Sequence, residues 1–394
     1  MIIDLHKRDY PVVQLTQSAH INYVRHLFCF LKRINIVENT PLRTAVIGLG
    51  MGRSHAEGYT LSPNAELVAL CDTDPKRLQE NGVKYNVDAS GLYDDYKTMF
   101  AKANLDMVSI CLPNALHAKV SIEAMKAGIH VICEKPMATT VKEAQSMLDA
   151  SKRTEKRLMV MYNRRYRADA FWIQQLIQNG KLGEVYQLSV NWRRETGIPG
   201  WGWAGNEDVA GGGSLIDLGV HVIDLGMWLL GFPEVKTVSG SIRTKFGQHG
   251  LKTWGLDPKP REFGVEDGAV GFIRLENNII MSVQASWAEH IAPNEDRIYM
   301  EILGTKGSVV LDIPNYTRKD TLRFYTEVEG VPTVITPRIK WGEVGELQQL
   351  VMDAVERLIN DEPAPTTAEE GLKAVQIMES FYKSAQDGRE ISLA

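Results

Sequence analysis

The stretch from residue 211 to residue 228 carries ionisable side chains at a spacing that suits acid–base chemistry. Asp217, His221, Asp224 and Trp228 recur at i, i+4, i+7 and i+11, so a helix here would place them on one face. Their neighbours are apolar, and burying ionisable groups without partners costs free energy. Asp217 has a structural explanation, because Ser214 and Asp217 have the spacing of a capping box. His221 has none in the sequence, which makes it a candidate for proton transfer.

Lys135 is a second candidate. It follows the apolar run His130–Cys133 and precedes Pro136. A lysine held at a strand end by a proline has a fixed position, whereas most surface lysines do not. The alternative is that Glu134 and Lys135 form a solvated pair in an ordinary loop, and these residues alone do not decide between the two.

A glycine-rich turn precedes both candidates. The apolar run from Thr44 to Ile47 leads into three glycines, Gly48, Gly50 and Gly52. These glycines, with Met51, are the candidates for binding a cofactor. Glycines permit a sharp strand-to-helix turn and the close approach of a pyrophosphate to the helix N-terminus. The third glycine comes one residue earlier than in G-x-G-x-x-G. Asp72 lies about 20 residues further on, where an acid can bind an adenosine ribose. The alternative is a structural turn with an incidental acid.

These residues require a scaffold, and the first half of the chain predicts one. From Thr44 to Tyr162, apolar strands and helices alternate, which indicates a parallel, doubly wound sheet of six strands. Ligands bind outside the carboxyl ends of such strands. That rule gathers the residues at the strand ends around one crevice: Gly48, Asp72, Pro113, Asn114, Glu134 and Lys135.

The rest of the chain predicts a different architecture. Strands at Val185–Trp192, Ala269–Leu275, Ile279–Trp287, Tyr299–Leu303, Ser308–Asp312 and Leu322–Thr326 are followed by two helices. A long irregular stretch holds Trp201 and Trp203, whose indoles suit the faces of a sugar ring; packing at a subunit interface is the alternative. A sheet with helices on one face needs cover on the other, so we expect a homodimer or homotetramer.

Length and composition narrow the class of protein. The 394 residues suggest two domains, and a net charge of −5 without a basic run points away from nucleic acid and anionic membranes. No uninterrupted apolar run approaches membrane-spanning length. The four cysteines, Cys29, Cys71, Cys111 and Cys133, show no C-x-x-C spacing. We expect a cytoplasmic protein without a metal site.

Residues 1–41 precede the glycine turn. Ser18 could cap a helix with one apolar face formed by Ile21, Val24, Phe28 and Leu31. Such a face could dock on the body or on another subunit. The alternatives are a disordered extension and a start site placed too early.

Taken together in order, these motifs resemble the Gfo/Idh/MocA oxidoreductases, the relatives of glucose–fructose oxidoreductase and inositol dehydrogenase. The motifs are Gly48/Gly50 with His55, Asp72, Pro113-Asn114 with His117, Glu134-Lys135-Pro136, and Gly211-Gly212-Gly213 followed by Asp217, His221 and Asp224. The resemblance covers about residues 42 to 392.

The resemblance implies an α/β protein. A Rossmann domain at 42–162 would be followed by an α/β domain at 163–394 with an open, mainly antiparallel sheet. It also implies that Lys135, Asp217 and His221 are the catalytic group. His117 would join the cofactor crevice, and weaker substrate candidates are Arg164, Trp201, Trp203 and Asp224.

We expect NAD as the cofactor, because Asp72 would repel the extra phosphate of NADP; Lys76 and Arg77 nearby leave NADP possible. The expected reaction moves hydride between nicotinamide and a hydroxyl- or carbonyl-bearing carbon of a sugar, cyclitol or related polyol. One alternative is a glycoside-cleaving or epimerising enzyme that uses the cofactor transiently. Another is a non-catalytic sensor that binds dinucleotide or sugar.

Overall fold

The first part of the chain forms a parallel sheet of six strands in the order β3-β2-β1-β4-β5-β6. The computed structural model describes residues 40–200, 202–247, 253–254, 263–292 and 295–393. The strands are β1 (Leu42–Ile47), β2 (Ala65–Cys71), β3 (Leu92–Tyr93), β4 (Met107–Ile110), β5 (His130–Cys133) and β6 (Leu158–Val160). The helices between them are α1 (Gly52–Leu61), α2 (Pro75–Lys84), α3 (Tyr96–Lys102), α4 (His117–Lys126) and α5 (Val141–Thr154).

The strand order confirms the predicted doubly wound sheet. The strands β1 to β3 are added towards one edge of the sheet and β4 to β6 towards the other, so the strand order reverses between β1 and β4. In doubly wound sheets a ligand-binding crevice lies at this reversal point. Local signals set the helices: Asp74 caps α2 by accepting hydrogen bonds from the amides of Lys76 and Arg77, with Pro75 in the first turn. The strand that the sequence pattern did not reveal is β3, which has two residues.

The second part of the chain forms a nine-stranded sheet in the order β16-β15-β14-β13-β7-β12-β11-β9-β17. Every neighbouring pair is antiparallel except β7 and β12, which are parallel. The strands are β7 (Val185–Arg193), β9 (Val235–Arg243), β11 (Gly268–Leu275), β12 (Ile280–Ser286), β13 (Arg297–Gly304), β14 (Gly307–Pro314), β15 (Leu322–Val328), β16 (Val331–Ile335) and β17 (Ile391–Ser392), while β8 (Ile198–Pro199) and β10 (Thr253–Trp254) pair separately. This confirms the predicted open, mainly antiparallel sheet.

The helices of this part are α6 (Ala168–Gln178), α7 (Glu207–Ala210), α8 (Val220–Leu229), α9 (Glu346–Ile359) and α10 (Ala368–Asp387). Of these, α8 and α10 pack on one face of the sheet, against β7 and β9, whereas α9 packs against α1. The ring of Phe381 on α10 packs against Gly240 and Gly271, where a Cβ would come within 2.4 Å and 2.6 Å of the ring. On the opposite face Val270, Phe272 and Ile280 are exposed.

The end of the chain returns to the first sheet. Val351 of α9 belongs to the same buried apolar cluster as Val46 and Tyr59. A Cβ at Gly58 of α1 would lie 2.7 Å from Cβ of Val351, so the two helices are in close contact. Helix α10 contacts both sheets: it packs on β9, and a Cβ at its Gly371 would lie 2.8 Å from Val160 Cγ2 of β6.

One segment, Glu207–Leu229, has the length and apolar character of a membrane span. Most of it is buried inside the protein, as expected for a core helix.

Candidate active site

The turn between β1 and α1 has the shape of a pyrophosphate cradle. Gly48 has a φ of +85°, and a Cβ there would lie 2.3 Å from the carbonyl oxygen of Cys111. A Cβ on Gly50 would meet nothing within 4 Å, whereas one on Gly52 would lie 2.6 Å from Val46 Cγ1. The N-cap residue Met51 makes no side-chain cap. The helix start thus faces an open approach at Gly50, which fits a dinucleotide phosphate.

Asp72 lies beside this turn. Its Oδ2 accepts from the amide of Leu49 at 2.7 Å, and its Oδ1 accepts from the amide of Asp74 at 2.9 Å. Arg77 Nη1 lies 3.2 Å from Oδ2. A carboxylate has about four acceptor sites, so capacity for a ribose hydroxyl remains. Arg77 places a cation at the same position.

The loops after β4 and β5 form the opposite wall. Pro113 precedes a short turn that begins at Asn114, and Asn114 Nδ2 donates to the carbonyl oxygen of Ala210 at 2.7 Å. The two ring nitrogens of His117 lie 2.7 Å from the Pro136 carbonyl oxygen and 2.8 Å from that of Leu112. Burial lowers the pKa of His117. The ring ties the two loops together, and its direct contact with cofactor stays a prediction.

Glu134 is anchored beneath the site. Its Oε1 lies 3.0 Å from His55 Nε2, and its Oε2 accepts from the amide of Lys135. His55 Nδ1 lies 3.0 Å from Ser109 Oγ, which also contacts Tyr59 Oη at 2.8 Å. Burial is the largest single influence and raises the pKa of Glu134, but the hydrogen bond from His55 together with the charges of His55, Lys135 and His117 lowers that pKa overall. The alternative of a solvated Glu134/Lys135 pair is wrong.

Lys135 reaches across to the second part of the chain. Its Nζ lies 2.9 Å from Asp217 Oδ1 and 3.0 Å from the Asp217 carbonyl oxygen. Trp287 Nε1 donates to Asp217 Oδ2 at 2.9 Å. Burial raises the pKa of Asp217, but the Lys135 ammonium reverses this and holds the pKa well below its usual value. An ammonium has three protons, and two acceptors on Asp217 leave one for a ligand.

His221 lies in the same region. Its ring centroid is 5.6 Å from that of Trp192, and its Nδ1 is buried without a hydrogen-bond partner among the described residues. Burial, followed by the charges of Lys135 and Arg164, lowers the pKa of His221 well below 6.5. The imidazole is therefore neutral near pH 7, and it has a nitrogen to offer to a ligand.

The backbone between these residues is irregular. Leu215–Gly219 is a π-helical turn that leads directly into α8, and such turns are frequent at functional sites. The predicted capping box is wrong: Ser214 has helical φ and ψ and makes no side-chain cap, and Asp217 pairs with Lys135. Instead, the Glu266 carboxylate accepts from the amides of Gly213 and Leu215, each at 2.7 Å.

Arg164 stands over the ring of Trp192 at 4.8 Å, and Arg194 stands over the same ring at 5.3 Å. The buried Nε of Arg164 has no hydrogen-bond partner among the described residues. Burial lowers the pKa of Arg164 to about 10. Arg164 thus has a donor available beside His221, in accord with its place among the substrate candidates.

The other substrate candidates differ in position. Asp224 is buried, and its two oxygens accept from Arg165 at 2.9 Å and 2.5 Å, which gives it a structural ion pair. Trp203 is partly buried, and Trp201 lies outside the described residues. Their contact with substrate stays a prediction.

Sequence reasoning missed three site residues. Trp192 and Trp287 each stand at the end of a predicted strand, and that shared position was a usable signal. No sequence signal pointed to Glu266, because its hydrogen-bond partners Gly213 and Leu215 lie more than 50 positions away. Within the described ranges, no group of three or more histidine, cysteine, aspartate or glutamate side chains is arranged to hold a metal ion.

Two family models match the chain. The oxidoreductase family model with an NAD-binding Rossmann fold, GFO_IDH_MocA, matches residues 42–162. The model of the C-terminal alpha/beta domain of the same oxidoreductase family matches residues 174–393. Together they span most of the chain.

Relatives with assigned names match over most of their length. D-glucoside 3-dehydrogenase of Escherichia coli (strain K12) is 32% identical over 359 residues, which cover 90% of this chain and 98% of the relative. Levoglucosan dehydrogenase of Pseudarthrobacter phenanthrenivorans is 29% identical, covering 77% and 82%. Myo-inositol 2-dehydrogenase of Thermotoga maritima is 24% identical, covering 89% and 98%.

Solved structures share the fold. Aldose-aldose oxidoreductase from Caulobacter crescentus complexed with glycerol has a TM-score of 0.74 at 25% identity, covering 90% of this chain and all of that one. Levoglucosan dehydrogenase in complex with NADH and levoglucosan has a TM-score of 0.78 at 23% identity, with the same coverage.

Proposed function

Because the chain belongs to the Gfo/Idh/MocA family of NAD-binding oxidoreductases, we propose that it interconverts a secondary alcohol and a carbonyl on a sugar, cyclitol or related polyol. The observation that carries this proposal is the Lys135–Asp217 ion pair, with a neutral His221 beside it. A protein that only binds dinucleotide has no need of a fixed ammonium next to an imidazole with an available nitrogen.

The residues present fit the dinucleotide. Gly48, Gly50 and Gly52 would hold the pyrophosphate, Asp72 would hold the adenosine ribose, and the loops after β4 and β5 would flank the nicotinamide. NAD, when bound, supplies the acceptor for the hydride of the substrate carbon. All proton chemistry is left to the side chains of this chain.

His221 is the proposed general base. Removing the hydroxyl proton needs a neutral acceptor near pH 7, and the lowered pKa of His221 keeps the imidazole neutral there. In the oxidation the hydroxyl proton passes to His221 as the carbon–oxygen bond becomes a carbonyl. The reverse reaction returns that proton from the imidazolium.

Lys135 is the proposed electrostatic partner. Two acceptors of Asp217 fix the ammonium, and its remaining proton would be donated to the substrate oxygen, where negative charge develops as the proton leaves. Asp217 itself is fixed by Trp287. Because the low pKa of Asp217 keeps it ionised, the carboxylate retains its charge across the neutral range.

A pyranoside or cyclitol is the substrate class that the relatives favour. The names of three relatives specify a D-glucoside, levoglucosan and myo-inositol, all ring polyols with secondary hydroxyls. Arg164 supports this, since its Nε has no hydrogen-bond partner among the described residues and a guanidinium donor suits the hydroxyls of a sugar ring.

The test is a substrate panel. Purified protein is mixed with NAD and, separately, with methyl glucosides, levoglucosan and myo-inositol, while the absorbance of reduced nicotinamide and the formation of sugar product are followed. Net reduction of NAD with formation of an equal amount of the ring ketone of the substrate supports the proposal. Product without net reduction would mean transient redox chemistry, and cofactor binding without any product would mean a sensor.

We also propose that the protein is a homo-oligomer assembled through the exposed face of the nine-stranded sheet. Val270, Phe272 and Ile280 are 53%, 56% and 39% exposed on that face. Ser282 and Ser239 pair with Phe272 on the two neighbouring strands, and Val270 lies two residues away on the same face of β11. A second copy would present the same apolar face, as a two-fold interface requires.

Phe272→Asp tests this assembly. Light scattering should report a dimer or tetramer for the wild type and a smaller species for the variant. Val331→Asp is the control, because Val331 is similarly exposed, at 48%, but lies on β16 at the far edge of the sheet. A monomeric wild type would contradict the assembly.

A further inference from the structure

The segment Leu215–Leu229, which consists of the π-helical turn and α8, is called the catalytic helix below. Three successive backbone amides at its start donate hydrogen bonds to one residue that is distant in the sequence, Glu266. The side chain of Glu266 accepts from Gly213 through Oε2 and from Leu215 through Oε1, each at 2.7 Å. The carbonyl oxygen of Glu266 accepts from the amide of Ser214 at 3.1 Å. The first amides of a helix have no partners within it, and here a residue just before β11 supplies them.

The backbone at this contact approaches more closely than a side chain would permit. A Cβ on Gly213 would lie 1.8 Å from the Glu266 carbonyl oxygen, and one on Gly212 would lie 2.1 Å from Tyr382 Oη. Gly212 and Gly213 therefore allow the backbone to approach Tyr382 and Glu266 at distances that a side chain would prevent.

Tyr382 of α10 completes the cluster by donating from its hydroxyl to Glu266 Oε1 at 3.1 Å. Glu266 is 3% exposed. Its carboxylate has three neutral donors, and no ion pair of Glu266 is found among the described residues. Burying a carboxylate without a cation costs free energy of folding. We therefore expect Glu266 to have a role that offsets this cost.

The capped turn carries the proposed catalytic residues. The amide of Asp217 donates to the carbonyl oxygen of Gly213 at 2.9 Å, and His221 follows one turn later. We propose that Glu266 is a positioning residue that holds the π-helical turn, and with it Asp217 and His221, in the arrangement that hydride transfer needs. This inference rests on the proposed function.

The Glu266→Gln variant tests it. In glutamine one of the two carboxylate oxygens is replaced by an NH₂ group, which is a donor and cannot accept from a backbone N–H. The variant therefore loses one of the two hydrogen bonds to the amides of Gly213 and Leu215. We expect kcat to fall about tenfold to a hundredfold, since small misplacements of reacting groups cost that much. NAD affinity should stay unchanged, and the deuterium isotope effect on kcat should rise, because the hydride step becomes slower.

The pH profile gives a readout that a merely structural role would not move. Burial raises the pKa of Glu266 to about 7, and the titratable side chain that faces it among the described residues is Tyr382, from α10. The wild type should therefore lose kcat as the pH falls through about 7, because a protonated carboxyl cannot cap both amides. Glu266→Gln should lack this loss.

Asp95→Asn is the matched control. Asp95 caps α3 by accepting from the amide of Thr98, and it does not touch the catalytic helix. Its variant should keep kcat. Hydrogen–deuterium exchange over residues 214–229 should rise in Glu266→Gln but not in Asp95→Asn.

The results for these variants decide whether Glu266 positions the catalytic helix. A folded Glu266→Gln enzyme with kcat within twofold of wild type, or with unchanged exchange over residues 214–229, overturns the inference. If that variant does not fold, Tyr382→Phe replaces it, and an unchanged kcat and pH profile there overturns the inference. A wild type that turns over no polyol refutes the proposed function instead, while the exchange measurement still decides whether Glu266 holds the helix.

Discussion

Lys135 Nζ lies 2.9 Å from Asp217 Oδ1, although the two residues are 82 positions apart; Lys135 follows strand β5 of the first sheet, and Asp217 lies in the π-helical turn before α8. The contact closes the crevice at the carboxyl end of β5. Since Trp287 donates to the other oxygen of Asp217, the aspartate is held in place, and its two acceptors in turn fix the Lys135 ammonium. This geometry is what turns a strand-end lysine into a candidate for catalysis.

Asp72 sets the cofactor preference. The wild type should favour NAD over NADP in kcat/KM, because the carboxylate repels the extra phosphate. Asp72→Ser should narrow that ratio by about tenfold, equivalent to ~1.4 kcal/mol. Arg77→Ala is the complementary variant and should widen the ratio, since Arg77 offsets the charge of Asp72. A wild-type enzyme with the higher kcat/KM for NADP would contradict this account.

His221 should give folding a pH dependence. Its pKa is lowered in the folded protein, mainly by burial, so the unfolded state binds the proton more readily. The free energy of unfolding contributed by this group is present above about pH 6.5 and is lost as the pH falls through the folded pKa. Urea unfolding at several pH values should therefore show a shallower acid loss for His221→Gln than for the wild type. Parallel pH curves would contradict the burial of a neutral imidazole.

Asp224 should matter for stability. Asp224→Asn leaves the buried Arg165 with Glu370 alone, and breaking a buried pair costs about 3–5 kcal/mol. Asp361→Asn is the control, since the Asp361 side chain is 98% exposed and should cost under about 1 kcal/mol. Denaturant unfolding measures both. Normal stability with impaired turnover in Asp224→Asn would instead make Asp224 a substrate residue.

The N-terminal extension should be dispensable for the fold. Its apolar stripe, Ile21, Val24, Phe28 and Leu31, lies outside the described residues, whereas every cofactor motif begins after it. Deleting Met1–Glu38 should leave the circular dichroism and NAD binding unchanged. Loss of soluble protein, or a change in oligomer size by light scattering, would show that the stripe forms an interface.

Much of the fold follows from local pattern. The strand β5 begins and ends where the apolar run predicts it. Between the predicted strands Ala269–Leu275 and Ile279–Trp287, Asn277 and Asn278 have φ values of 57° and 60°, which asparagine tolerates better than most residues. The turn between β1 and α1 was predictable because the three glycines directly follow the apolar run of the strand, within one short stretch of sequence. In contrast, β9 and β16 have few buried residues, so no clear alternation marked them.

The site was predictable in part. Ionisable residues at strand ends pointed to Lys135, and unexplained polarity on an apolar helix pointed to His221. The partners of these residues depend on packing between distant segments. Asp217 was therefore read as a local cap, whereas Glu266 performs the capping and frees Asp217 to bind Lys135.

The most direct test is single-turnover reduction of bound NAD by Lys135→Met and His221→Ala, with NAD affinity measured by fluorescence. Acid–base groups typically contribute about 10²–10⁴-fold, so each variant should slow the step by about that factor while NAD affinity stays within twofold of wild type. A His221→Ala enzyme with near-normal turnover across about pH 6 to 9 would remove the histidine from the mechanism and leave Lys135 as the proton carrier.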